Sequence, residues 1–314
     1  MKSNSNKIIY GCMGLGGSWD SLPLSSSDQK KADEVLETAI NSGITSFDHA
    51  DIYTFGKAEK AFGNYLRRHS SLRENLYIQS KTGIELHAGP IKSSRYNLSE
   101  TYVLKQVDAI LDRLSTEYLD ALLLHRPDPL TSMEELAETL SLLRATGKVK
   151  SFGVSNMSVS QIQSLQHYMK EPLIANQIQL SLKHSLLYDL EVWVNRNESP
   201  KDAGLTNLIS YSNQNKLSIQ AYSPLANGLY SKSSTENETV RQTKVLIDNL
   251  AEKYKTGSSG ILLAWLWRIP GNIQPIIGTT NLERIQESIA ATNIKMTRED
   301  WYDLWIVSKG IKLP

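Results

Sequence analysis

Apolar positions along this chain alternate between two patterns: short runs of consecutive apolar residues, and longer stretches in which apolar residues recur three or four apart. The first run is Ile8-Ile9-Tyr10, a short strand candidate. From about Asp28 the positions Ala32, Val35, Leu36, Ala39 and Ile40 have helical spacing, and Asn41-Ser42-Gly43 ends that stretch with a glycine suited to a left-handed cap. The alternation then repeats. Strands are predicted to start at residues 8, 46, 76, 119, 151, 174, 217 and 273. Helices are predicted at about 57–68, 99–114, 132–145, 158–167, 205–213, 240–254 with 258–267, and 282–290, followed by one more at about 297–308. Residues 119–124 are almost continuously apolar, as expected of a parallel strand covered on both faces. Eight strands alternating with helices predict a (β/α)8 TIM barrel, an α/β fold, with residues 1–314 forming one domain.

Two stretches break the rhythm. Residues 181–201 contain no clear repeat, and Asn195-Arg196-Asn197-Glu198-Ser199-Pro200 reads as an exposed loop. Residues 231–238, Ser-Lys-Ser-Ser-Thr-Glu-Asn-Glu, form a polar loop between the seventh strand and its helices.

Composition narrows the function classes. A length of 314 residues is near the usual size of such a barrel and long enough to bury a large core. Thirty-four Lys and Arg stand against 33 Asp and Glu, so no surplus basic field is available for a nucleic acid or an anionic membrane. Cys12 is the single cysteine and cannot form an internal disulfide; with no charged-then-apolar leader, a reducing cytoplasm is expected. The longest apolar runs, such as residues 260–267, fall well short of the roughly 20 residues that span a bilayer. Oligomeric state leaves no trace in the sequence.

The densest candidate chemistry is Phe47-Asp48-His49-Ala50-Asp51-Ile52-Tyr53, which runs from a strand through an ionisable loop towards a helix. The next predicted strand ends at Lys81 and the one after at His125. Ser155, Asn156, Gln177, Tyr222, Gly278 and Thr279 also stand at the carboxyl ends of predicted strands. In a (β/α)8 barrel those ends form one rim, where the active sites of this fold lie. The glycines of Gly11-Cys12-Met13-Gly14-Leu15-Gly16-Gly17-Ser18-Trp19 suggest a dinucleotide loop, but Trp19 occupies the place of the third glycine and no helix begins there. His49, His87, His167 and His184 have no metal-ligand spacing, so no metal is expected. Asn97-Leu98-Ser99 matches a glycosylation sequon that a cytoplasmic protein would not use.

The ordered set resembles the aldo-keto reductases from about Lys7 to about Thr292. Asp48 and Tyr53 five apart, Lys81 and His125 are similar to that family's catalytic tetrad. Further matches are residues 147–156, Asn176-Gln177, Ala221-Tyr222-Ser223-Pro224-Leu225, and Gly278-Thr279-Thr280 with Arg284. The resemblance implies an NADP(H)-dependent oxidoreductase that reduces small aldehydes or ketones by hydride transfer. A developing alkoxide needs a proton donor and local positive potential. Tyr53 would be the acid, with its pKa drawn down from about 10 by Lys81. Asp48 would hold Lys81, and His125 would orient the carbonyl. The resemblance also assigns Ser155, Asn156 and Gln177 to the nicotinamide carboxamide and Tyr222 to its ring. It adds Ser223 and Leu225 to the cofactor contacts and places Trp19 on the substrate side. Gly278, Thr279 and Thr280 would open the last βα helix towards a phosphate, with Arg284 one turn on for the 2′-phosphate of NADP and Glu287 beside it.

Many relatives carry a lysine where this chain has Gly278 and an asparagine where it has Ser288, so NADH remains possible. By the same resemblance, residues 231–238 would fold over the cofactor pyrophosphate. Two other readings fit the same barrel: a nicotinamide-binding regulatory subunit that senses redox state with little turnover, and a Schiff-base aldolase using Lys81. The loops at 18–26, 84–97 and 181–201 are expected to shape the substrate pocket.

Overall fold

The computed structural model describes residues 7–88, 92–197, 199–231 and 236–314. Its strands, in chain order, are β1 (Ile9–Gly11), β2 (Ser46–Asp48), β3 (Tyr77–Thr82), β4 (Ile84–Ala88), β5 (Ser93–Tyr96), β6 (Ala121–Leu124), β7 (Phe152–Ser155), β8 (Ala175–Gln179), β9 (Ser218–Tyr222) and β10 (Ile273–Ile277). All except β4 and β5 are parallel and close into a barrel, in the ring order β1, β2, β3, β6, β7, β8, β9, β10. Closure runs through Ile9 beside Ile276 and Tyr10 beside Ile277. The fold is the (β/α)8 TIM barrel that the alternation predicts.

Strand bounds shift from the sequence reading by one or two residues at several places, and one shift bears on the site. Lys81 lies within β3 rather than just past it, so strand geometry orients its side chain. Because successive strand residues point to opposite faces, Gln79 and Lys81 share the inner face of β3. Gln79 exchanges hydrogen bonds with Gln220 of β9, on the far side of the ring. Ser80 and Thr82 point outward, Ser80 to Glu59 of the surrounding helix Lys57–Arg68 and Thr82 to Asp51.

Helix starts follow local capping. Ser25 accepts from the Asp28 amide, so the first helix is Ser26–Asn41 and begins two residues earlier than its apolar spacing suggests. Ser158 and Gln161 form a reciprocal capping box on Val159–Tyr168. The final helix, Arg298–Lys309, docks firmly. Its Trp301 stacks on Trp265 with ring centroids 5.2 Å apart, and each indole N–H donates to the other residue's carbonyl.

Two elements escaped the sequence reading. The antiparallel pair β4–β5 stands outside the barrel within the 84–97 loop, and a short helix, Leu186–Val192, lies inside the region 181–201. Residues 195–197 and 199 are exposed as expected for a loop; Glu198, residues 232–235 of the anticipated flap, and residues 1–6 lie outside the described residues. Among the described residues no helix is long and apolar enough to cross a membrane, and no group of three His, Cys, Asp or Glu could hold a metal ion.

Candidate active site

Asp48 ends β2, and the chain then turns sharply. Tyr53–Gly56 is a short turn in which Thr54 (φ 48°), Phe55 (φ 58°) and Gly56 (φ 82°) are all left-handed. For a β-branched residue such as Thr54 that conformation is a genuine outlier. Thr54 is fully buried with its hydroxyl donating 2.8 Å to the Tyr53 carbonyl, so packing and a hydrogen bond hold the strained turn that presents Tyr53.

Lys81 is fully buried beneath it. Its Nζ donates to both oxygens of Asp48 and to the His49 carbonyl, each at 2.7 Å. The same ammonium stands 4.8 Å from the centroid of the Tyr53 ring. The His125 ring lies edge-on to Tyr53, with centroids 6.3 Å apart at 85°. Four residues that span 77 positions of sequence, from 48 to 125, therefore meet at one end of the barrel.

Asp48 is tied further. Its Oδ1 accepts from Gln79 at 2.7 Å and from Gln177 at 3.0 Å, and both glutamines also donate to Gln220. Gln79, Gln177 and Gln220 are 2% exposed or less, so they form a polar lattice spanning the barrel interior under the tetrad. Sequence reasoning found Gln177 but not Gln79 or Gln220. An amide within a predicted barrel strand was the available signal.

Burial and charge set the protonation states. Burial works against the Lys81 ammonium, but the charges and hydrogen bonds of Asp48 and Tyr53 outweigh it and raise its pKa. Burial also raises the Tyr53 phenol; the charge and hydrogen bonding of Lys81 pull it down without overcoming that effect. The expected net lowering of the Tyr53 pKa is thus corrected: Lys81 acts in the anticipated direction, but desolvation is larger. Burial, then the charges of Lys81 and Arg126, hold His125 well below the usual imidazole range, so it is neutral at neutral pH. His49 has no hydrogen-bond partner at either ring nitrogen among the described residues, and burial pushes its pKa down to about 3.

A cavity of about 780 Å³ is lined by Asp48, Tyr53 and His125 together with Ser155, Asn156, Gln177, Tyr222, Ser223, Leu225, Gly278, Thr279, Arg284 and Glu287. Its volume falls in the range of small-molecule and cofactor sites. Along it, Ser155 Oγ donates to the Gln177 carbonyl and Asn156 Nδ2 to Ser155 Oγ. The Tyr222 hydroxyl donates to Asn156 Oδ1 at 3.2 Å. Trp19 and Thr280 do not line the cavity. Trp19 packs edge-on against Phe55, 5.9 Å between centroids, and Phe55 stacks on His87.

The phosphate-loop expectation needs adjustment. Gly278, Thr279 and Thr280 precede the last βα helix rather than open it. That helix is Leu282–Ala290, capped by the Asn281 side chain, which takes the Arg284 amide. Glu287, on the same helix, extends its carboxylate to the start of the neighbouring helix Ser258–Trp267, where it accepts from the Gly260 amide at 3.3 Å. Ser288 is buried and bonded to the Arg284 carbonyl, so it does not reach the cavity. Arg126, Asn227, Gly228, Tyr230, Ser258, Ser259 and Leu262 also line the wall, none of them singled out from sequence. Hydroxyls opening a helix at Ser258-Ser259, and a cation directly after a strand-end histidine, were the signals that could have found them.

Residues 7–308 match the sequence model of the aldo/keto reductase family. The chain belongs to that family. The match extends through the final helix, beyond the limit near Thr292 read from the motifs. This aldo/keto reductase is 35% identical to the uncharacterized oxidoreductase YcsN of Bacillus subtilis (strain 168), over 89% of each chain. It is 31% identical to a 6-dehydroglucose reductase of Agrobacterium fabrum, over 98% of this chain and 96% of that one. Among solved structures it is similar to the thermostable aldo-keto reductase Tm1743, with a TM-score of 0.74 and 25% identity over 96% of this chain and 95% of that one. An aldo-keto reductase from Klebsiella pneumoniae in complex with NADPH gives a TM-score of 0.72 at 25% identity, over 95% and 89%.

Proposed function

We propose that this aldo/keto reductase is an NADP(H)-dependent enzyme that reduces aldehydes or ketones to alcohols. The observation that carries this is the meeting of Tyr53, Lys81, Asp48 and His125 at a cavity that Arg284 also lines. The donor set along that cavity fits a nicotinamide dinucleotide. Gln177 spends its amide nitrogen on Asp48 and Gln220, which leaves Oε1 to accept from a carboxamide, with Ser155 and Asn156 beside it. Tyr222 lines the same cavity and suits the ring, Ser223 and Leu225 add contacts, and Arg284 serves the 2′-phosphate, with Gly278 and Thr279 on the wall and Thr280 next in sequence. The Klebsiella relative in complex with NADPH supports this cofactor.

Bound NADPH supplies the hydride that adds to the carbonyl carbon. Tyr53 then donates its phenolic proton to the carbonyl oxygen as that oxygen gains charge. A raised phenol pKa serves this direction, because the acid must stay protonated at working pH. An alkoxide is far more basic than a phenolate, so the proton still transfers. Lys81, fixed by three hydrogen bonds, offers positive potential under the phenol; neutral His125 offers a ring N–H to the carbonyl oxygen without a competing charge. Cytoplasmic location and a small-molecule carbonyl substrate accord with this reading.

Lys81 argues against a Schiff-base aldolase. An ammonium bound by both oxygens of a buried carboxylate, with its pKa raised, is not a free amine nucleophile.

Tyr53→Phe tests the proposal. Loss of the proton donor should lower kcat for reduction by about 10²- to 10⁴-fold, while NADPH binding followed by fluorescence stays within about threefold. With wild-type enzyme, reduction should vary little between pH 6 and 9. Alcohol oxidation, which needs the phenolate, should still be rising at pH 9, because the Tyr53 pKa is raised above 10.0. Undiminished reduction by the variant would overturn the mechanism.

A further inference from the structure

Arg126 follows His125 directly, at the carboxyl end of β6, and it lines the same cavity as Tyr53 and His125. It is half-buried, yet among the described residues its guanidinium has no ion-pair or hydrogen-bond partner. The buried carboxylates of the neighbouring strands and loops are otherwise engaged. Asp48 is held by Lys81, Gln79 and Gln177. Asp51 accepts from Thr82, and Glu59 from Ser80 and Arg113. Asp128, two residues on, accepts from the Leu98 and Leu130 amides and the Thr131 hydroxyl.

A half-buried arginine without a counter-charge loses part of the hydration of its charge and its five N–H groups without replacement, at some cost. The cost is offset if a ligand brings the missing acceptor. The other cavity-lining arginine, Arg284, stands on the helix Leu282–Ala290 and serves the cofactor in the proposed function. Arg126, next to His125 and close enough to act on its charge, is therefore the arginine left for the carbonyl compound.

We propose that Arg126 selects the substrate, by pairing with an oxyanion such as a carboxylate that the carbonyl compound carries a few bonds from its reacting carbon. This deepens the carbonyl-reductase reading and rests on it. The planar guanidinium suits a carboxylate because it can donate two parallel hydrogen bonds. Such a clamp would fix the substrate's orientation and raise the effective concentration of its carbonyl beside Tyr53 and His125. The preferred substrates are then aldehyde or keto acids rather than neutral carbonyls.

The test compares matched probes, succinic semialdehyde against butanal and 4-carboxybenzaldehyde against benzaldehyde, with kcat and KM measured separately for wild type, Arg126→Lys, Arg126→Met and Arg126→Glu. Wild type should favour each carboxylate-bearing probe by at least about tenfold in kcat/KM, the effect of one charge-assisted pair. Arg126→Met should collapse that ratio towards one, mainly through KM. Arg126→Lys should keep part of it, and Arg126→Glu should invert it.

A wild-type enzyme that reduces butanal with no preference for the acid would sink this inference and leave the reductase reading intact. Failure to reduce either member of both pairs would sink the two together. Arg126 also depresses the imidazole pKa of His125, so a purely electrostatic role must be separable. If Arg126→Met lowered both members of a pair in parallel while shifting the pH profile, Arg126 would act through His125 and the inference would fail.

Discussion

The buried Lys81–Asp48 pair should separate stability from catalysis. Replacing Lys81 by Met removes three hydrogen bonds of 2.7 Å from a side chain with no exposure and leaves the Asp48 carboxylate inside the barrel. Stranding a buried charge in this way costs about 3–5 kcal/mol. Here the lower end applies, about 3 kcal/mol, because Gln79 and Gln177 still donate to Asp48 Oδ1. The denaturation midpoint should fall by about 1 M in urea. Adding Asp48→Asn removes the charge. The new amide oxygen still accepts from both glutamines, and its NH₂ can replace the ammonium at the His49 carbonyl. The double variant should therefore recover roughly 2 kcal/mol over Lys81→Met alone, a favourable coupling measurable in a double-mutant cycle. Reduction should not recover. Without positive potential beside Tyr53, both variants should stay about 10²- to 10⁴-fold below wild type. Circular dichroism during urea titration, with steady-state NADPH oxidation on the same samples, gives both readouts. Additive destabilisation in the double variant would refute the argument that an uncompensated charge causes the loss. Restored turnover would refute the role given to Lys81.

Two further predictions concern residues around this pair. Burial pushes the Asp51 carboxyl up to about 7 from 3.8, so the folded state holds a proton that the unfolded chain releases, and this contribution to stability is lost as pH rises from about 4 to about 7. Asp51→Asn keeps an acceptor for Thr82 and removes the ionisation; at pH 8 it should stabilise by up to about 4 kcal/mol, at pH 4 by little, and an equal gain in Tm at both pH values would refute the titration. At Gly278 an added Cβ would meet only the Gly11 carbonyl oxygen at 3.7 Å, so Gly278→Lys should fold normally and bind NADPH about fivefold more tightly at low salt with NADH little changed. Equal tightening for both coenzymes would remove the phosphate from the explanation.

The parts of this molecule that were legible in the sequence share a cause. His125 closes the apolar run 121–124, and Asp48 and Lys81 stand at the ends of short predicted strands; such residues are conspicuous because they end a local pattern. The barrel was legible through its repeated alternation for the same reason. Gln79 and Gln220 were not, since both faces of a barrel strand are buried, and a single amide within the strand gives no sign that its partner lies across the ring. The pair β4–β5 and the seven-residue helix Leu186–Val192 are too short for a period to emerge. The net pKa of Tyr53 was illegible because desolvation depends on everything packed around it, whereas the opposing effect of Lys81 could be anticipated from one neighbour.

Arg126 shows the same division most sharply. In the run Arg126-Pro127-Asp128 a carboxylate stands two residues from the arginine. The fold assigns the carboxylate elsewhere: β5 leads into the chain at Leu98, whose amide donates 2.9 Å to Asp128 Oδ2, while the Leu130 amide takes Oδ1. These bonds hold the Asp128 pKa down despite burial and satisfy the carboxylate without a cation. The arginine is left lining the cavity, and its charge becomes available to a ligand because donors from its own βα connection and from the one that holds Leu98 have satisfied its neighbour in sequence.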